Sequence, residues 1–209
     1  MNGVYVIFQS GGNDAQMHRL VESIEGCSTI ELALRSGEGI QDGDLHMLEA
    51  LLPVCERRGI NIALYPHVKY GMQTTTEALS LCRRFSHPRL GIAFNGYHWY
   101  AMREGHLARR LTDAAPFLKL VNIAGCRFSP LGWGSVATIE PLDEGEMDNF
   151  VLLGQLQRTG YAGPIGFLGW SEGMGGDVYG NLDRSVTAFR SMEQRLVDHP
   201  SWALITNAP

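Results

Sequence analysis

Short apolar runs alternate with longer amphipathic stretches along almost the whole chain, and this alternation limits the fold more than any other feature. The runs 3–10, 29–35, 60–66, 90–95, 117–125 and 164–170 read as strands. The stretches 14–26, 42–59, 74–88, 100–116, 144–160 and 181–200 read as helices. Gly59 is expected to close the second helix. Thr74 should open the third, and Pro88 should stop it. A long loop is expected between the fifth strand and Asp143. Strand–helix repeated six times without hairpin signals predicts βαβ units on a parallel sheet, within one domain spanning residues 1–209.

A second pattern lies inside the strands. Ile60, Ile62 and Leu64 alternate with Asn61, Ala63 and Tyr65. Leu90, Ile92 and Phe94 alternate with Gly91, Ala93 and Asn95, and Ile30, Leu32 and Leu34 with Glu31, Ala33 and Arg35. Period two puts the large aliphatic residues on one face and the small or polar ones on the other. A small face shared by several strands suits the crowded interior of a barrel, whereas a flat doubly wound sheet wants bulk on both faces. The predicted fold is therefore α/β, an incomplete (β/α) TIM-type barrel of about six parallel strand–helix units. Function in such barrels sits at the C-terminal strand ends. There the chain places Gln9, Arg35, Tyr65, His67, Asn95, His98, Asn122 and Trp170, all expected around one mouth.

Composition narrows the function. Net charge is −5 with no Lys/Arg stripe, which argues against a nucleic-acid partner. No apolar run approaches the roughly 20 residues of a membrane span, and the N-terminus lacks a basic leader, so a cytoplasmic location is expected. Cys27, Cys55, Cys82 and Cys126 contain no C-x-x-C pair and are expected to be reduced and structural.

The segments GINIALYPH, LGIAFNGYHW, LKLVNIAG, IEPLDEGEMD and GYAGPIGFLGW, in that order, resemble the xylose-isomerase-like TIM barrels, and in particular their sugar phosphate isomerase/epimerase-like branch. The resemblance covers residues 55–192 and, more loosely, the first 54. It implies an eight-stranded barrel from which the first two βα units are absent. Two open sheet edges would follow, and a homodimer across the gap is the expected remedy. The resemblance also implies a divalent metal (Mn²⁺, Mg²⁺ or Zn²⁺) held by Glu, Asp, His and Glu on successive strand ends. Carried over, those positions read Tyr65, Asn95, Asn122 and the neighbourhood of Leu168, with His98 three residues beyond Asn95. Neutral amides and a leucine do not supply the anionic oxygens that a hard cation prefers, so the metal site is expected to be eroded.

The expected function is a sugar isomerase/epimerase-like protein that moves protons on a sugar or keto-sugar. His67 and His98 are the candidate catalytic residues. Tyr65, Asn95, Asn122, Trp170 and Glu172 are the candidate substrate contacts, with Trp99 or Trp133 as further platforms for a pyranose. The alternative is a non-catalytic degenerate barrel that binds carbohydrate or serves as a structural, oligomerising module. Each residue also has a plainer reading. His67 could be a loop histidine bonded to backbone, His98 and Asn95 a helix-start cap, Tyr65 a ring filling space, and Glu31 with Arg35 an internal pair. Asp143 with Glu146 reads as a capping box for the helix that follows. His18, His46, His87, His106 and His199 are expected at the surface or in turns.

Overall fold

The computed structural model describes residues 3–169 and 177–205. Its parallel strands are β1 (Gly3–Phe8), β2 (Thr29–Leu34), β3 (Asn61–Leu64), β4 (Leu90–Asn95), β5 (Leu118–Ile123) and β7 (Ile165–Phe167). A further strand, β6 (Phe128–Trp133), lies outside that sheet. The helices are α1 (Asp14–Ser23), α2 (Asp42–Arg58), α3 (Thr75–Phe85), α4 (Gly96–Ala101), α5 (Leu107–Ala114), α6 (Asn149–Arg158) and α7 (Val178–Asp198). The sheet order is β1-β2-β3-β4-β5-β7. The chain is thus α/β, with six parallel strand–helix units of an incomplete TIM-type barrel. It groups into two compact units, residues 1–94 with 116–120, and residues 95–115 with 121–209.

In the first unit the strand register joins like to like. Ile30 pairs with Ile62, which pairs with Leu90; Leu32 pairs with Leu64, which pairs with Ile92. The opposite face collects Ala33, Ala63, Tyr65 and Ala93, as the period-two pattern predicts, together with Leu120. Gly91 allows close approach there, since a Cβ would lie 2.3 Å from the Phe117 carbonyl oxygen. Helix ends follow local chemistry. Gly59 closes α2 in the left-handed region at φ 70°, and the Thr74 hydroxyl accepts from the Glu77 amide while Glu77 bonds back to Thr74.

In the second unit β5 and β7 pair with Asn122 opposite Gly166. Here three expectations are corrected. The helix expected over 100–116 is two helices, because Arg103, Gly105 and His106 all take positive φ (51°, 65° and 50°) and turn the chain between α4 and α5. The expected loop before Asp143 contains a hairpin arm, β6. Gly134 and Ser135, at φ 62° and 58°, form a tight turn of the kind that joins antiparallel strands, and Ser129 N–H donates to the Val136 carbonyl. Arg127 fastens its base with two bonds to Glu140, at 2.9 and 3.0 Å. Finally, Asp143 caps no helix. The amides of Glu146 and Met147 are tied to the Cys126 carbonyl, so the first turn of α6 cannot begin there. Asp148 caps α6 instead, and Asp143 pairs with Arg184.

All four cysteines are free. Burial raises Cys55 to about 11 and Cys82 to about 12, and raises Cys126 too; Cys27 is the half-buried one. Of the remaining histidines, His18, His46, His106 and His199 are exposed, and His87 is half-buried. Among the described residues no helix is long and apolar enough to cross a membrane.

Candidate functional site

The first unit holds an aromatic group beyond the end of β3. Tyr65 follows the strand and donates its backbone N–H to Leu32. The chain then turns back. His67 N–H donates to the Met72 carbonyl, Tyr70 N–H to the His67 carbonyl, and Gly71 N–H to Leu34 at the end of β2. Lys69 adopts φ 68° inside this turn. The closure lays the Tyr70 ring on the His67 imidazole, with centroids 3.8 Å apart and planes 17° from parallel. Tyr65 lies 6.1 Å from His67, and Tyr5 on β1 meets Tyr65 edge-on at 4.9 Å.

His67 is 7% exposed. Its Nδ1 lies 2.8 Å from the Val68 carbonyl oxygen, which can only accept, so Nδ1 carries the hydrogen and Nε2 the lone pair. Burial lowers the imidazole to about 4, against a smaller upward push from the Val68 bond. The ring is therefore neutral at physiological pH. Burial, together with Tyr70 and Glu31, raises the Tyr5 phenol, which shares a hydrogen bond with Tyr70. Arg35 is exposed, with its guanidinium 5.8 Å over the Tyr70 ring and a 3.3 Å bond to Gln9. The internal position expected for it is thus corrected: it lies just past the last residue of β2, where the chain leaves the sheet.

The second unit holds the other group. Asn95 ends β4, and its side-chain oxygen accepts the His98 backbone N–H at 3.1 Å, capping α4. His98 is 3% exposed, with Tyr97 at 4.9 Å and Trp133 at 6.3 Å, both edge-on. The Tyr97 hydroxyl donates to the Ala137 carbonyl and so attaches α4 to the β6 segment. Asn122 is half-buried on β5, and its Oδ1 would lie 2.7 Å from a Cβ at Gly166. Trp99 is turned to another task, its indole N–H donating to the Gly105 carbonyl. Trp170 and Glu172 lie outside the described residues.

The donor set does not fit a divalent metal. Tyr65, Asn95, Asn122 and Leu168 are neutral, and the Asn95 oxygen is engaged by its own helix. Among the described residues no group of three or more His, Cys, Asp or Glu side chains is placed to hold a metal ion.

Residues 44–193 match the family of xylose isomerase-like TIM barrels. The chain belongs to that family. This family member resembles 3-keto-D-glucoside 4-epimerase YcjR from E. coli in its apo form, at 18% identity over 93% of this chain and 79% of that one, with a TM-score of 0.66. It also resembles D-allulose 3-epimerase from Methylomonas sp., solved with D-allulose, at 19% identity over 88% and 68%, TM-score 0.66. The IOLI protein with bound zinc is similar over 93% and 76%, at 14% identity and a TM-score of 0.72. At these identities the likeness shows the fold. No curated protein matches the chain.

Two residues of the first group were not among the sequence candidates. Tyr5 pairs in register with Glu31, so extending the small-face alternation to β1 would have found it. Tyr70 reaches His67 only through the turn over 67–72, which leaves no periodic trace.

Proposed function

We propose that this family member is a sugar isomerase/epimerase-like protein acting on a keto-sugar by proton transfer. The supporting observation is the His67 ring: buried, neutral, held in one tautomer by the Val68 carbonyl and backed by Tyr70. Nε2 would accept the proton from the carbon beside the substrate carbonyl. The Nδ1–H bond to Val68 steadies the imidazolium that forms, and returning the proton to the neighbouring carbon or the other face completes the reaction. His98 is assigned the second proton transfer. Tyr65, Asn95, Asn122, Trp170 and Glu172 are assigned to the substrate, with aromatic faces against the ring and amides on its hydroxyls.

A second reading is a barrel that binds carbohydrate without turnover. Two observations favour it. A base at about 4 lies far below the near-neutral value that suits proton abstraction. The Asn95 oxygen is already occupied as a helix cap. Incubation with D-allulose in D₂O separates the readings. Deuterium entering the carbon next to the carbonyl supports the enzyme. Saturable binding without exchange supports the second reading, and neither result overturns both.

The reading includes a homodimer. Its support is that β1 and β7 are the terminal strands of the sheet order among the described residues. Light scattering on the eluted protein should give twice the chain mass; a monomer at high micromolar concentration removes the dimer.

A further inference from the structure

A cavity lies wholly within the second unit, and none of the residues of the histidine groups lines it. It measures about 570 Å³ and is bounded by α4, the turn 102–106, α5, β6 and the start of α6. That volume is in the range of small-ligand sites. One wall is aromatic. Tyr100 and Phe128 stack at 4.5 Å with planes 22° apart, and Trp99 adjoins them. The floor is Met147 and Val151, both buried.

The polar groups at its rim are unequally spent. Glu146 accepts the Tyr100 hydroxyl at 3.3 Å, and Asp148 accepts the Val151 N–H as the cap of α6. Arg109 makes a long, exposed contact of 3.7 Å with Asp113, the kind of pair that contributes little. Arg103 lies over Phe128, its guanidinium carbon 4.3 Å from the ring centroid. A cation held over a ring keeps its N–H donors, and among the described residues the Arg103 side chain makes no hydrogen bond or ion pair, only its backbone N–H donating to the Tyr100 carbonyl. The cavity therefore offers a flat apolar slot with surplus donors at one end, while its two carboxylates are already engaged.

We propose that this cavity is a binding site for a small aromatic carboxylate. The ligand's ring lies against the Trp99, Tyr100 and Phe128 wall, and its carboxylate meets the Arg103 guanidinium edge, with Arg109 adding charge. Arg rather than Lys suits this role, because one planar fork can stack on Phe128 and bind a carboxylate at the same time. The site is independent of the sugar reading and stands or falls separately.

The test uses 2-naphthoate as probe on the full chain, by calorimetry and by NMR. The expected result is saturable one-to-one binding that shifts the Trp99 indole N–H. Arg103→Gln, an exposed position, should weaken it by roughly 10-fold or more, the scale of a lost charge-assisted bond. The neutral 2-naphthylmethanol should bind the unmodified protein about as weakly as 2-naphthoate binds that variant. Phe128→Ala, checked for an unchanged melting profile, should also lose the probe. No saturation at millimolar probe overturns the proposal. So do equal affinities for the acid and the alcohol, or shifts confined to residues away from Trp99.

Discussion

After β3 and after β4 the chain writes the same phrase, an apolar run ending in a polar or ring-bearing side chain, and folds it in two ways. After β3 the backbone turns back, and the turn itself stacks Tyr70 on His67. After β4 the backbone enters a helix at once, and the terminal Asn95 is consumed in starting it. A polar residue at a strand end is thus placed by the strand, but its role depends on what the backbone does next. The turn holds the His67 imidazole against Val68 and Tyr70. A helix start spends the oxygen of Asn95 on structure.

Four measurements sharpen or break that contrast. The largest effect is expected from His67→Gln, which should lower deuterium exchange into D-allulose by roughly 10²- to 10⁴-fold, the usual contribution of a general base. Its melting temperature should stay within a few degrees; an unchanged exchange rate removes His67 from the chemistry.

Next comes acid stability. The unfolded chain takes a proton on His67 near 6.5, whereas the folded ring resists to about 4. Its neutral form therefore stabilises the fold fully above 6.5. That contribution falls as pH drops through this window and is gone below about 4, a loss of up to about 3 kcal/mol. Urea unfolding at pH 7.5, 5.5 and 4.5 reads the slope. His67→Phe should flatten it, and a slope unaffected by that change would place its origin elsewhere.

Asn95→Ala should cost about 1 kcal/mol, the worth of a helix cap, and Asn95→Asp should restore most of it. If alanine leaves stability unchanged, the Asn95 cap contributes nothing and the contrast between the two strand ends fails. The smallest effect is expected from Tyr70→Leu. Loss of the ring stack should cost about 0.5–1 kcal/mol in urea melts and release the His67 ring, seen as a changed Val68-bonded Nδ1–H signal.

Much of the fold was legible because it rests on local rules. Leu90–Asn95 was readable to the residue, since apolar alternation and flanking Pro88 and Gly96 bound it. Gly59 and Thr74 mark helix ends through chemistry that acts over four residues. The break between α4 and α5 was harder to see. Gly105 is its only written mark, and the non-glycine residues Arg103 and His106 share the strain. β6 was hidden by Pro130 and by the lack of alternation in FSPLGW, although Gly134-Ser135 carried a turn signal. At the site, Tyr65 and His67 come together as their strand-end positions suggested, and Asn95 adjoins His98. The Tyr70 stack was not legible, because it depends on backbone bonds from His67 and Gly71 to Met72 and Leu34.

The burial of three thiols has a practical consequence. Cys55, Cys82 and Cys126 are closed off and hold their protons far above neutrality, whereas Cys27 sits half-open before β2. Reaction with a maleimide dye needs an accessible thiolate. The native chain thus carries its own attachment point, so a single fluorophore can be mounted on Cys27 with no cysteine removed.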